Sequence, residues 1–211
     1  MSMELLSLVT KVIIICFSII GLYYKTGLRE KKFKPISFIY FTNLNLVFCL
    51  LFFVSSIFIG ENQILNNING FILLSAIGTM VIYHFVLVPI YKDTKKDYEF
   101  FSFSDMTVHY VVPLIVIIHW ILFAEKGQFS YYYPFIWLIP FLIYVLLVIV
   151  RAQHGALLQF TKTRYPYYFI DADKLGVKKT SFNIIFFFTM VIIIGYVLLC
   201  LDFLLNQIHF F

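Results

Sequence analysis

The chain has 211 residues, 62% of them hydrophobic and only 13% charged, with a net charge of +5. Soluble domains carry about 25% charged residues, so this chain has too few charges to cover a water-facing surface, and an ordinary soluble domain is excluded. Its mean hydropathy is +0.92, and several apolar runs are long enough to cross about 30 Å of hydrocarbon as helices; the expectation is an all-α polytopic membrane protein, a bundle of six transmembrane helices in one domain.

The start, MSMELLSLVTKVIIICFSII, has no basic flank ahead of Leu5 and no small-x-small cleavage site close behind, so it reads as a retained first helix, 8–24. A basic linker follows, and Pro35 stands where a second helix, 36–59, can begin because the first turn needs no N–H there. ENQILNNIN reads as a polar turn before span three, 70–90. Ser104 or Asp105 is a candidate N-cap for span four, 107–124. Span five covers 131–150. The longest polar segment separates it from span six, 182–205. Cys16, Cys49 and Cys200 all fall in apolar runs, which suggests buried small hydrophobes and no disulfide framework.

Lys and Arg are concentrated in the first, third and fifth linkers, while the second has none and the fourth only Lys126. By the positive-inside rule those three loops are cytoplasmic and both termini outside, in what is expected to be a bacterial plasma membrane. The basic linkers are too short and divided for a nucleic-acid surface; anionic phospholipid accounts for them more simply. Membrane lipids are the expected partners, and the oligomeric state stays open. No zinc spacing, phosphate loop or serine elbow occurs, so neither metal nor cofactor is expected.

Polar groups inside spans are costly and mark candidate sites. Thr42, Asn45 and Cys49 are three and four residues apart, one face of a helix; they read either as interhelical glue or as the lining of a pocket, with Asn43 beside them. Asp105 and His109 are four apart, so the carboxylate either orients the imidazole for base catalysis or merely caps the helix. Spans two and four run in the same direction, and His84 lies six residues before the inner end of span three. Thr42, His84 and His109 therefore fall in one shallow layer. His119 reads as structural or pore-facing, and Asp202 as a solvated helix end. Arg151 and His154 share a face if span five continues, either anchoring the helix or binding a phosphate or carboxylate. Asp171 and Asp173 read as solvated, and YPYY around Pro166 as an interfacial segment.

A threonine needs a base within reach to act as a nucleophile. His109 or His84 would serve Thr42, with Asn43 or Asn45 donating to the oxyanion. The order of motifs, Tyr40-Phe41-Thr42-Asn43-Leu44-Asn45-Leu46, then His109-Tyr110-Val111-Val112-Pro113-Leu114, then Tyr165-Pro166 through Asp171 to Leu175-Gly176, resembles the androgen-induced-gene family of six-helix membrane proteins, above all its bacterial branch. Its animal members hydrolyse fatty acid esters of hydroxy fatty acids. The resemblance implies Thr42 as nucleophile, His109 as the second required residue and a lipidic ester as substrate. A non-catalytic lipid-binding or transport protein and an acyltransferase are the alternatives.

Overall fold

The computed structural model describes residues 2–60, 62–94 and 99–208; Lys95 and Lys96 of the third linker lie outside them. Among the described residues the fold is all-α, without strands. Six helices are long and apolar enough to cross a membrane: α1 Met3–Lys25, α2 Phe41–Phe58, α3 Gln63–Asp93, α4 Phe103–Phe123, α5 Tyr133–His154 and α6 Val177–Gln207.

Helix ends depart from the sequence reading where side chains cap them. Ser2 Oγ accepts from the Leu5 N–H at 3.3 Å, so α1 starts well before residue 8. Pro35–Ile39 forms a 3₁₀ turn and Tyr40 is extended, which delays α2 to Phe41. Within ENQILNNIN, residues 63–69 are helical rather than a turn. Asn62 Oδ1 caps Leu65 N at 2.9 Å, and the amides that follow form the first turns of α3. They are tolerated there because they bind a neighbouring loop: Gln63 Nε2 donates to the Gln128 carbonyl at 3.3 Å and Asn66 Nδ2 to Gln128 Oε1 at 3.4 Å. The cap of α4 is Ser102, whose Oγ accepts from Asp105 N at 3.3 Å. Neither Ser104 nor Asp105 caps that helix, so the Asp105 carboxylate is available for other partners.

The chain forms two compact units, one of Met1–Phe129 with Asp202–Phe211 and the other of Ser130–Leu201. In the first, α1 packs on α2 and α4, and α3 on α2 and α4. Small residues bring the backbones close. A Cβ added at Gly21 would stand 2.8 Å from Leu46 Cδ1 and 3.1 Å from Val108 Cγ2, so α1, α2 and α4 meet at that level. Asn45 takes the interhelical role: its Oδ1 accepts from Ser75 Oγ at 2.6 Å and its Nδ2 donates to Thr79 Oγ1 at 3.3 Å. Asn45→Ala is expected to cost about 1 kcal/mol, the scale of such bonds between membrane helices, measured as unfolding of the detergent-solubilised protein; a neutral result would show that these bonds do not fasten α2 to α3.

The second unit has Trp137, Phe141, Val148, Ile170, Val191 and Leu198 buried. Tyr165, Pro166 and Tyr167 are buried as well, and Tyr168 is exposed. Outward faces are apolar throughout: only 17% of the α1 and α6 windows is buried within the protein, and Phe58 and Phe182 are 82% and 68% exposed. Surfaces of that kind and extent are lipid-facing, and the protein is an integral polytopic membrane protein.

Candidate functional site

The site is assembled at the Lys25 end of α1. Gly27 ends that helix in a left-handed conformation (φ +79°). A side chain there would lie 2.3 Å from the Lys32 carbonyl, so only glycine lets the chain turn back so tightly. The turn closes with Lys34 N donating to Thr26 O at 2.8 Å and fixes the position from which Lys25 reaches inward. Lys25 Nζ donates to Asp105 Oδ1 at 2.5 Å, and Tyr83 OH donates to Asp105 Oδ2 at 2.8 Å. The Asp105 side chain is only 2% exposed and that of Lys25 25%. Three helices thus converge on one carboxylate.

Two local distortions present the neighbouring side chains. Tyr83–Leu87 in α3 and Thr107–Val111 in α4 are π-helical, with Val88 N donating to Tyr83 O and Val112 N to Thr107 O. Each is followed by a proline, Pro89 and Pro113. A proline has no N–H and its ring clashes with the carbonyl four residues back, so the helix widens by a residue at that point. Tyr83, His84 and His109 all lie in these widened turns.

His109 is buried. Its Nδ1 is 3.1 Å from the Asp105 backbone carbonyl and 3.9 Å from Asp105 Oδ1. A carbonyl only accepts, so Nδ1 carries the hydrogen and Nε2 the lone pair. The ring lies flat on Tyr83, with centroids 3.6 Å apart and planes 14° apart. Asp105 therefore orients His109, but through its carbonyl; the carboxylate, expected to hold the imidazole, is occupied by Lys25 and Tyr83.

Thr42 is the second residue of α2 and half-buried, and among the described residues its hydroxyl has no hydrogen-bond partner. Helix α2 packs against the π-turn that carries His109. One turn beyond Thr42, Leu46 lies with Val108 against Gly21. Thr42 and His109 accordingly occupy the same end of the first unit, as their predicted depth required. The other candidates disperse. Asn43 is buried and donates to the Ser37 carbonyl at 2.7 Å, and Asn45 is committed to α3. Each amide thus spends one N–H on packing. His84 is exposed and pairs with Tyr110 OH at 2.9 Å.

Arg151 and His154 belong to the second unit. The helix does continue through both. Arg151 donates to the carbonyls of Arg164 and Ala156, each at 2.8 Å, so it clamps the following loop. In that loop Asp173 accepts two bonds from Arg164, at 2.6 and 2.8 Å. The guanidinium holds the Asp173 carboxyl below its usual range, so this pair stabilises at neutral pH and is lost only as pH falls through that lowered value. Asp171 is buried, with Oδ1 capping Lys174 N at 3.3 Å, and is not solvated.

Nor is Asp202 a solvated end: it is buried and accepts from Phe129 N at 2.9 Å. His119 is structural, buried and 2.7 Å from Thr10 Oγ1. Among the described residues no three His, Cys, Asp or Glu gather as metal ligands, and Cys16, Cys49 and Cys200 are free thiols, of which only Cys49 is buried.

A cavity of about 710 Å³ lies at the other end of the first unit, beside Ser7, Lys11 and Ser56, about 21 Å along α1 from Lys25 at 1.5 Å per residue. Sequence reasoning missed two members of the cluster. Lys25 was read as a linker charge, yet its place four residues beyond Gly21 on the same helical face was a usable signal. Tyr83, within span three, carried no role from its sequence position. No protein-family model, curated protein or solved structure gave a significant match to this chain.

Proposed function

We propose that this protein is an intramembrane lipid-ester hydrolase with Thr42 as nucleophile and His109 as general base. The observation that carries the reading is a buried imidazole whose Nδ1 is held by the Asp105 carbonyl, on a π-turn packed against the helix that carries Thr42. The resemblance to the androgen-induced-gene family supports it at the same two residues.

In this scheme the acyl chains enter laterally from lipid. Thr42 Oγ1 attacks the ester carbonyl carbon while His109 Nε2 takes its proton. The tetrahedral intermediate collapses, and the leaving alcohol receives that proton, leaving an acyl ester on Thr42. Water then attacks this ester as Nε2 takes a proton from it. Collapse releases the fatty acid and returns the proton to Thr42. An alcohol in place of water would make the same machinery an acyltransferase. With the charge-based orientation, the site faces the cytoplasmic leaflet.

The test is active-site labelling of the purified full chain with a fluorophosphonate. Intact-mass analysis is expected to show one adduct, absent in Thr42→Ala and strongly reduced in His109→Ala. Labelling that persists in Thr42→Ala overturns the nucleophile, and no labelling of the wild type favours a lipid-binding protein without turnover.

A further inference from the structure

The cavity at the far end of α1 is lined by two lysines that the proposed chemistry does not use. Lys11 stands about two turns into a lipid-exposed helix and is half-buried, a costly place for an ammonium. Among the described residues its one hydrogen bond is to the Ser56 carbonyl at 3.5 Å, the outer limit of such a bond. Among the described residues it makes no ion pair. An ammonium has three donors, so most of its capacity is unspent. Ser7 and Ser56 lie beside it, and Lys126 borders the same cavity, its Nζ set between the carbonyls of Trp120 and Ala124. Glu4 and Glu125 also border it but are exposed, where water screens them. The less exposed charges in the cavity are therefore positive.

Apart from Asn206 the remaining wall is apolar, including Leu8, Ile57, Leu122 and Phe123. A volume of about 710 Å³ is within the usual range for a small-molecule site. We infer that this cavity is a binding site for an anionic amphiphile, its carboxylate or phosphate at Lys11 and its acyl chain along the Leu8–Leu122 wall. A hydrocarbon chain alone would leave the ammonium unpaired, and a small anion alone would leave the apolar wall unused. The site is distinct from the Thr42–His109 end and does not depend on catalysis there.

Thermal unfolding of the full chain in a non-ionic detergent reads binding directly, because a ligand of the folded state raises the melting temperature. Oleate, carrying a carboxylate, and a lysophosphatidate of the same chain, carrying a phosphate, are compared; whichever head is preferred shows a saturable rise, and neither doing so overturns the site. Lys11→Gln is expected to weaken the preferred ligand at least about tenfold, the scale of a lost hydrogen bond to a charge, and Lys11→Arg to retain it within about threefold. Leu122→Trp, which fills the wall without touching the charge, must weaken it too. Thr42→Ala must leave it unchanged. Equal binding by Lys11→Gln, an equal rise with oleyl alcohol, or saturation by acetate or inorganic phosphate at the same concentrations would each overturn the proposal.

Discussion

Lys25→Met is expected to destabilise the protein more than Asp105→Ala, by about 3–5 kcal/mol against about 1–3 kcal/mol, in unfolding of the solubilised chain. The two substitutions break the same ion pair, but they strand different partners. Removing Lys25 leaves a carboxylate that is 2% exposed without the ammonium that balances its charge, and breaking a buried pair in this way costs about 3–5 kcal/mol. Removing Asp105 leaves an ammonium on a flexible stem that is already 25% exposed and can reach water or a headgroup. The Tyr83 hydroxyl keeps an acceptor in the Phe100 carbonyl at 3.3 Å, so what remains is the loss of one hydrogen bond to a charged group, about 1–3 kcal/mol. The double change Lys25→Met with Asp105→Leu removes both charges and is expected to fall well short of the sum of the two single losses. Equal single losses, or a nearly neutral Lys25→Met, would mean that Lys25 is not what compensates the buried carboxylate.

This asymmetry bears on how much could be read from the residues alone. The six spans were legible because hydrocarbon demands long uninterrupted apolar helices, and the depth of Thr42 and His109 followed from counting residues along them. Which side chain meets which was not legible, because contact depends on helix rotation. Asn45 shows the difference: its spacing from Thr42 and Cys49 allowed either glue or a pocket, and only the position of Ser75 and Thr79 on α3 decides for glue. The helix starts were misread for a related reason. Amide-rich ENQILNNIN resembles a turn by composition, yet its amides cap α3 and bind the Gln128 loop.

The π-turns were also foreseeable in principle. His84 and His109 stand five and four residues before Pro89 and Pro113, a spacing at which the proline forces the preceding turn open. The consequence is geometric. A widened turn rotates the side chains ahead of it, and in α3 this sets Tyr83 inward and His84 outward, the reverse of what a layer containing both imidazoles required.

The decisive expectation for the chemistry separates His109 from Asp105. If His109 is the base, His109→Ala lowers kcat on a long-chain ester by about a hundred- to ten-thousand-fold, the range for a lost general base, while KM changes little because the acyl chains are bound elsewhere. In a triad, converting the carboxylate partner of the base to its amide costs about ten-thousand-fold, because the imidazole takes the wrong tautomer. Here the tautomer is set by a backbone carbonyl 3.1 Å from Nδ1, which Asp105→Asn retains. That variant is therefore expected to keep kcat within about tenfold of wild type even as it loses stability. Tyr83→Phe keeps the ring on which His109 lies and removes only the hydroxyl bound to Asp105, so its loss should be of the same small size. Steady-state turnover of the four proteins, each normalised to folded fraction, makes the comparison. A ten-thousand-fold loss in Asp105→Asn would return the carboxylate to a direct role in orienting His109, and full activity in His109→Ala would remove the base from the scheme altogether.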